Sequence, residues 1–445
     1  MLVTRRLTYV ALCGALAAAC DSATEPKGAS RFAPLSADSL FIGKTLGVVT
    51  LSTLDGSVIT AAPHLWSSSD SNIAVVSAGR VFALGAGTAQ ITAELDGHSN
   101  TVNVRVVPLW LDGNVAFART STGYYANCAI TALGAAVCRS SNTPDSLRGF
   151  TDVATGVPPL DELHIAEPHQ CGLTPEGAMF CRGWNTHGQF GNGETSAARA
   201  IGFVVAAGPQ LRFSALSAGG SGMRGHTCGI RRTDSLLFCF GDNDVGQAGQ
   251  DTAQAQDSVP RAVAGDFRAL QVAAGRNHTC AVALDGQAYC WGWNVLGVLG
   301  TPRAEVIITG TPQLVDGGFT FTQLSADGHT CGVTPAKELY CWGSNAGGQL
   351  GLGTRDNAEH ATPTRVPLES PIALVATANG FTCAITDDGA LYCWGLYPQS
   401  EAMVERLGDS RYSPVHVARG LRFRSVSTSP QNVCAVTTDD RLMCF

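Results

Sequence analysis

The sequence predicts an all-β fold: a small β-sandwich over 32–107, then a seven-bladed β-propeller with intra-blade disulfides over 108–445. Three observations predict it. Short β-branched runs alternate with Gly, Ser and Asp turns along most of the chain, the pattern of many short strands. Fourteen of the 16 cysteines fall into seven pairs, ten or eleven residues apart. The first members of those pairs recur at spacings of 43, 57, 52, 51, 52 and 51 residues, the period of a four-stranded propeller blade. Gly makes up 51 of 445 residues, above the usual ~7%, as a chain built of turns requires. Net charge is −7 with no basic run, which disfavours nucleic acid as a partner. No apolar run reaches the ~18 residues of a spanning helix.

Residues 1–19 read as a secretory signal. Arg5 and Arg6 precede a short apolar run at 7–16, and Ala17-Ala18-Ala19 lead to Cys20. The small residues ending on a cysteine resemble a bacterial lipobox, although Ala17 stands where Leu or Val is more usual. The resemblance implies that Cys20 is acylated and becomes the first residue. Residues 20–31 then comprise the lipidated Cys and a polar tether without periodicity. The expected address is extracytoplasmic and bacterial, with contact to the envelope membrane through the lipid anchor only. In such a compartment disulfides persist.

In 32–107, Ile73-Ala74-Val75-Val76, Arg80-Val81-Phe82-Ala83-Leu84, Thr88-Ala89-Gln90-Ile91-Thr92-Ala93 and the alternating run at 101–107 are strand candidates separated by Gly turns. Trp66-Ser67-Ser68, Ile73-Ala74, Gly79-Arg80-Val81 and Leu84-Gly85-Ala86-Gly87-Thr88 resemble the bacterial Ig-like group 2 domain. That resemblance implies a surface spacer or adhesive module.

The cysteine pairs are Cys128 with Cys138, Cys171 with Cys181, Cys228 with Cys239, Cys280 with Cys290, Cys331 with Cys341, Cys383 with Cys393, and Cys434 with Cys444. Cys13 and Cys20 are the other two. Hairpin parity predicts that each pair is bridged. Leu284-Asp285-Gly286 reads as a three-residue loop closed by Ala283 and Gln287. Stepping outward then sets Cys280 opposite Cys290 at a non-hydrogen-bonded position, where Cα atoms approach to ~4.5 Å. An isolated pair offers two ligands where zinc needs four.

Around each pair the text repeats. One copy reads His278-Thr279-Cys280, Asp285-Gly286, Tyr289-Cys290-Trp291-Gly292-Trp293-Asn294, Leu299-Gly300. The next reads His329-Thr330-Cys331, Tyr340-Cys341-Trp342-Gly343-Ser344-Asn345, Gly348-Gln349-Leu350-Gly351. These copies resemble the regulator of chromosome condensation repeat family, which implies a seven-bladed propeller over about 108–445. The first copy has Arg139-Ser140 where Trp-Gly is expected. The segment at 108–112 matches the text preceding the fifth copy and is expected to supply the outer strand of the last blade, closing the ring.

Local chemistry is sparse. No zinc-protease, nucleophile-elbow or phosphate-loop motif occurs, and no catalytic, cofactor or metal residue is assigned. The recurring Gly-x-Asn-x-x-Gly-Gln-Leu-Gly is expected to fold a long loop through its turns. His169, His226, His278 and His329, each two residues before a Cys, are expected to hydrogen-bond rather than ring a metal. Asp242-Asn243-Asp244 with Gly246 hints at calcium but is also that copy's version of the Asn loop. Trp184, Trp291, Trp342 and Trp394 are expected between blades.

In a four-stranded meander the first and third loops share one face. Here the third loops are long, and the third copy also has an expanded first loop at 218–225. That face is expected to meet an unknown protein or glycan. Two functions stay open: a lipid-anchored binding, adhesion or scaffold protein, or an extracytoplasmic enzyme acting on glycans or cell wall from the central pocket. The family's nucleotide exchange on a small GTPase does not suit an exported chain.

Overall fold

The structure is a computed structural model. It describes parts of 30–107 (30–32, 40–41, 45–46, 51–53, 58–59, 65–77, 80–83, 87–95 and 98–107) and 115–123, 126–140, 151–152, 157–208, 210–252, 255–396, 411–430 and 432–444. Cys13, Cys20, the signal expected at 1–19, residues 20–29 of the expected tether and the closing strand expected at 108–112 lie outside the described residues; Ser30 and Arg31, the tether's last two residues, instead begin a strand that pairs with Leu51–Thr53.

Among the described residues everything is strand, turn or loop apart from 3-10 helix at Val295–Gly297 and at Arg411 and Tyr412. The four strand candidates of 32–107 appear as Ala74–Ser77, Arg80–Ala83, Gly87–Leu95 and His98–Val107. The last two pair antiparallel, and Val104, Val106, Ala89 and Ile91 turn inward from them.

From Phe117 onward the strands form antiparallel meanders, each in sequence order. The innermost strands are Phe117–Thr122, Glu162–Ile165, Phe213–Ser221, Ala269–Ala274, Gln323–Ala326, Ile372–Ala378 and Phe423–Thr428. Six of these sheets have four strands, and the last has three among the described residues. The second strand of each sheet is covered on both sides. His169–Leu173, His329–Val333 and Phe381–Thr386 are buried throughout, so burial runs continuously along them and includes His, Gln and Thr side chains. Outer strands meet solvent, as Ser196–Val205 does along nearly its whole length.

Each innermost strand exposes backbone N–H groups that its own sheet cannot satisfy, and the neighbouring sheet supplies the acceptors. Ser217 Oγ accepts from the Ala274 N–H at 2.9 Å, and Ser325 Oγ from Thr377 at 3.0 Å. Gln271 both accepts from the Leu324 N–H and donates to its carbonyl, each at 3.1 Å. The succession meets itself where first and last sheets touch. The Phe117 N–H donates to the Asp440 carbonyl at 2.8 Å. Arg424 donates to the carbonyls of Phe117 and Ala118 and pairs with Asp440 at 2.7 Å. Phe117 and Ala129 pack against Cys434, Val436 and Leu442 in one buried cluster.

Candidate binding face

The cysteine register follows the hairpin argument. In the fourth sheet the Ala283 N–H donates to the Gln287 carbonyl at 2.8 Å, and Gly286 takes φ +84°. Outward from that loop Val282 faces Ala288, and Cys280 faces Cys290. All seven pairs stand opposite one another at disulfide distance, with Cα separations of 4.0 to 4.2 Å. Those short separations belong to non-hydrogen-bonded ladder positions.

The four histidines form a relay between sheets. Nε2 of His169 lies 2.7 Å from Thr227 Oγ1, and Nε2 of His226 lies 2.8 Å from Thr279. His278 meets Thr330 at 3.0 Å and His329 meets Thr382 at 2.7 Å. Each threonine hydroxyl donates its own proton to a loop carbonyl, for instance Thr279 to Gln247 and Thr382 to Gln349, both at 2.8 Å. The threonine must therefore accept, which places the imidazole proton on Nε2. Nδ1 of His169, His226 and His329 finds no partner. Burial pushes His169, His226 and His329 down to about 3 and His278 to about 4, with neighbouring histidines adding to the shift of His226 and His329. The rings are neutral struts. The space beside them is made by glycine: Gly292 pairs with His278 at φ +111°, and a Cβ there would stand 2.6 Å from the His278 Cα.

Trp291, Trp342 and Trp394 are buried between sheets and donate to the carbonyls of Gln247, Val298 and Gln349 at 2.9 to 3.1 Å. Trp184 does not join them. Counted from its cysteine it matches the exposed Trp293, and it is only half-buried. Arg182 holds the interior position in that copy, over the Phe203 ring, and buried Phe240 holds it in the next.

The Asn loops fold on themselves. Oδ1 of Asn185, Asn243, Asn294 and Asn345 accepts from the N–H five residues on, at 2.9 to 3.3 Å, while Nδ2 donates across the loop. Asp242 and Asp244, the carboxylates of the calcium-like stretch, both face Arg224. First and third loops share a face, as the Trp293 N–H donating to the Asn277 carbonyl at 2.9 Å shows. Second and fourth loops meet on the other, where Gln287 bridges to Thr320.

The expanded first loop of the third copy is a hairpin. Strands Phe213–Ser221 and Arg224–Arg231 stay paired out to Ser221 opposite Arg224, with Gly222 and Met223 at the tip. Arg224 clamps it to Asp242 and Asp244. Thr186 and Gln189 of the preceding copy donate to the Met223 carbonyl at 3.0 and 3.2 Å. The Met223 side chain stays exposed, as do Trp293 and Leu396 on the same face. At the centre of this face the inner strands end around a cup of about 110 Å3, partly open to solvent, whose charged lining is Glu167, Arg276 and Asp327. Sequence reasoning passed over these three: each stands four residues before the first cysteine of its copy, but the residue type at that position changes from copy to copy.

Residues 234–282 and 338–385 match the regulator of chromosome condensation (RCC1) repeat, and 270–297 match a second model of the same repeat. Those stretches are RCC1-like repeats. It is 31% identical over 192 residues to the ultraviolet-B receptor UVR8 of Arabidopsis thaliana, covering 42% of each chain. It is 30% identical over 169 residues to the regulator of chromosome condensation of Mus musculus, covering 37% of this chain and 40% of that one. The chain thus spans under half the length of these curated relatives. Among solved structures, human WBSCR16 superposes with a TM-score of 0.60 at 16% identity, covering 79% of this chain and 90% of that one. Prp20p of Saccharomyces cerevisiae gives 0.57 at 15% identity, covering 73% and 81%. At those identities the structures establish the RCC1-like propeller fold alone.

Proposed function

We propose that this RCC1-repeat chain is an exported, lipid-anchored binding protein. In this reading a spacer at 32–107 carries a seven-bladed ring closed by 108–112, and the first-and-third-loop face meets a protein partner. The observation that carries it is the clamped hairpin with exposed Met223 at its tip, with Trp293 and Leu396 also exposed on that face. A rigid projection with an apolar tip is a natural anchor for a partner surface. Structures of the Prp20p propeller are described with binding to Gsp1p and histones and in complex with Kap60, so this fold serves protein recognition elsewhere.

Binding to a panel of purified envelope and host-surface proteins, with glycans as the competing class, tests the reading. Met223→Glu and Trp293→Glu are expected to weaken the partner by at least about tenfold. Leu133→Glu and Leu284→Glu, at second-loop turns on the opposite face, should leave it unchanged. Loss with the opposite-face pair alone, or capture of glycans only, would contradict it.

A further inference from the structure

We propose that the central cup is a receptor site for one organic cation, a guanidinium or alkylammonium group. This goes beyond the partner face and needs no macromolecule. The cup is lined at the ends of the innermost strands by small residues such as Gly123, Ala218 and Ala274, so its walls are backbone and its functional groups are few. Arg276 reaches across it to Glu167 at 3.8 Å and sideways to Asp327 at 3.4 Å. Both separations exceed the ~2.7–2.9 Å of a tight charge-assisted bond. One guanidinium is shared between two carboxylates, leaving the trio one negative charge in excess. Burial first, then the neighbouring Glu167, push the Asp327 carboxyl up to about 6 against the opposing pull of Arg276.

An independent observation lies across the cup. Thr122 is 6% exposed, lines the cup, and its Oγ1 has no hydrogen-bond partner. Thr428 Oγ1, beside it on the adjoining sheet, is likewise without one. Unpartnered buried hydroxyls are costly, and a ligand donor would relieve them. The cup thus offers acceptors at separated points, a surplus negative charge and a single cationic donor, Arg276. A carboxylate or phosphate would meet that surplus charge, and a neutral sugar would leave it unrelieved. A metal ion would need the carboxylates that Arg276 holds apart. A group with several N–H donors and a positive charge matches every element.

The test is calorimetric titration of the intact chain with argininamide, and with acetyl-Gly-Arg-Gly-amide, at pH 7.5. Saturable binding of either supports the site. Tighter binding of argininamide points to a free amine, and tighter binding of the peptide to a side chain offered by a partner. Asp327→Asn is expected to weaken binding by at least about tenfold. Thr122→Val, isosteric and lacking the hydroxyl, should weaken it several-fold with an unchanged melting curve. No binding of either probe, equal affinity in Asp327→Asn, or tighter binding of glutarate would overturn the proposal.

Discussion

Acidification from pH 7 to 5 is expected to destabilise the protein by several kcal/mol, chiefly through the four histidines buried between sheets, with His164, also held down to about 4 by burial, acting in the same direction. Their free value is 6.5 and their folded values are about 3 to 4. Above pH 6.5 both states are neutral and nothing is lost. Below it the unfolded chain takes up protons that the folded chain refuses, so stability falls with pH until the folded values are reached. Each histidine accounts for about 2 kcal/mol at pH 5. Glu162, Asp242 and Asp327, buried carboxyls raised above their usual range, pull the other way and soften the total. The chain itself contains the control. In the sixth sheet Phe381 stands where the second to fifth have His, and Val433 of the seventh stands where the third to sixth have Thr; both lie in one apolar cluster. His278→Phe with Thr330→Val copies that solution. Denaturant unfolding at pH 7 and 5 should show about 2 kcal/mol less acid loss than the native chain. A native stability that stays flat between these pH values would contradict the neutral-strut assignment.

Phe117→Ala is expected to cost about 3–5 kcal/mol, as truncation of a buried Phe does. Phe117 is 1% exposed and sits where first and last sheets meet. Phe321 occupies the matching position inside the succession. The two truncations should differ in outcome. Loss at Phe321 leaves sheets held on both sides, whereas loss at the closing seam leaves terminal sheets free to part, exposing apolar sheet faces. Thermal unfolding should therefore show a lower midpoint and more aggregation for Phe117→Ala than for Phe321→Ala. A native midpoint in Phe117→Ala would mean that the seam bears no load.

Much of the fold was legible because one register repeats. A turn such as Asp285-Gly286 dictates which residues stand opposite, so Cys280 finds Cys290 without knowledge of the rest. Where repeated letters were matched by nearness instead of by register, the reading failed: Trp184 lies three residues past its cysteine, the interior tryptophans one. The histidines were legible as structural residues but their partners were not, since each accepting threonine lies more than 50 residues along the chain and is reached only when neighbouring sheets pack. The cup was invisible for the same reason in stronger form. Glu167, Arg276 and Asp327 come from three different sheets and share a repeat position, four residues before a cysteine, but not a residue type; only packing of the sheets brings them within reach of one guanidinium.

Peptide mapping of the native protein without reduction tests most directly whether the repeats are individually stapled, as the proposed export requires. Thiols alkylated at isolation, followed by digestion and mass spectrometry, should show all seven intra-repeat linkages, from Cys128–Cys138 to Cys434–Cys444, and no alkylated cysteine among those 14. Alkylated free thiols at these positions would place the chain in a reducing compartment, and linkages between different repeats would refute the hairpin register; either result would contradict the account.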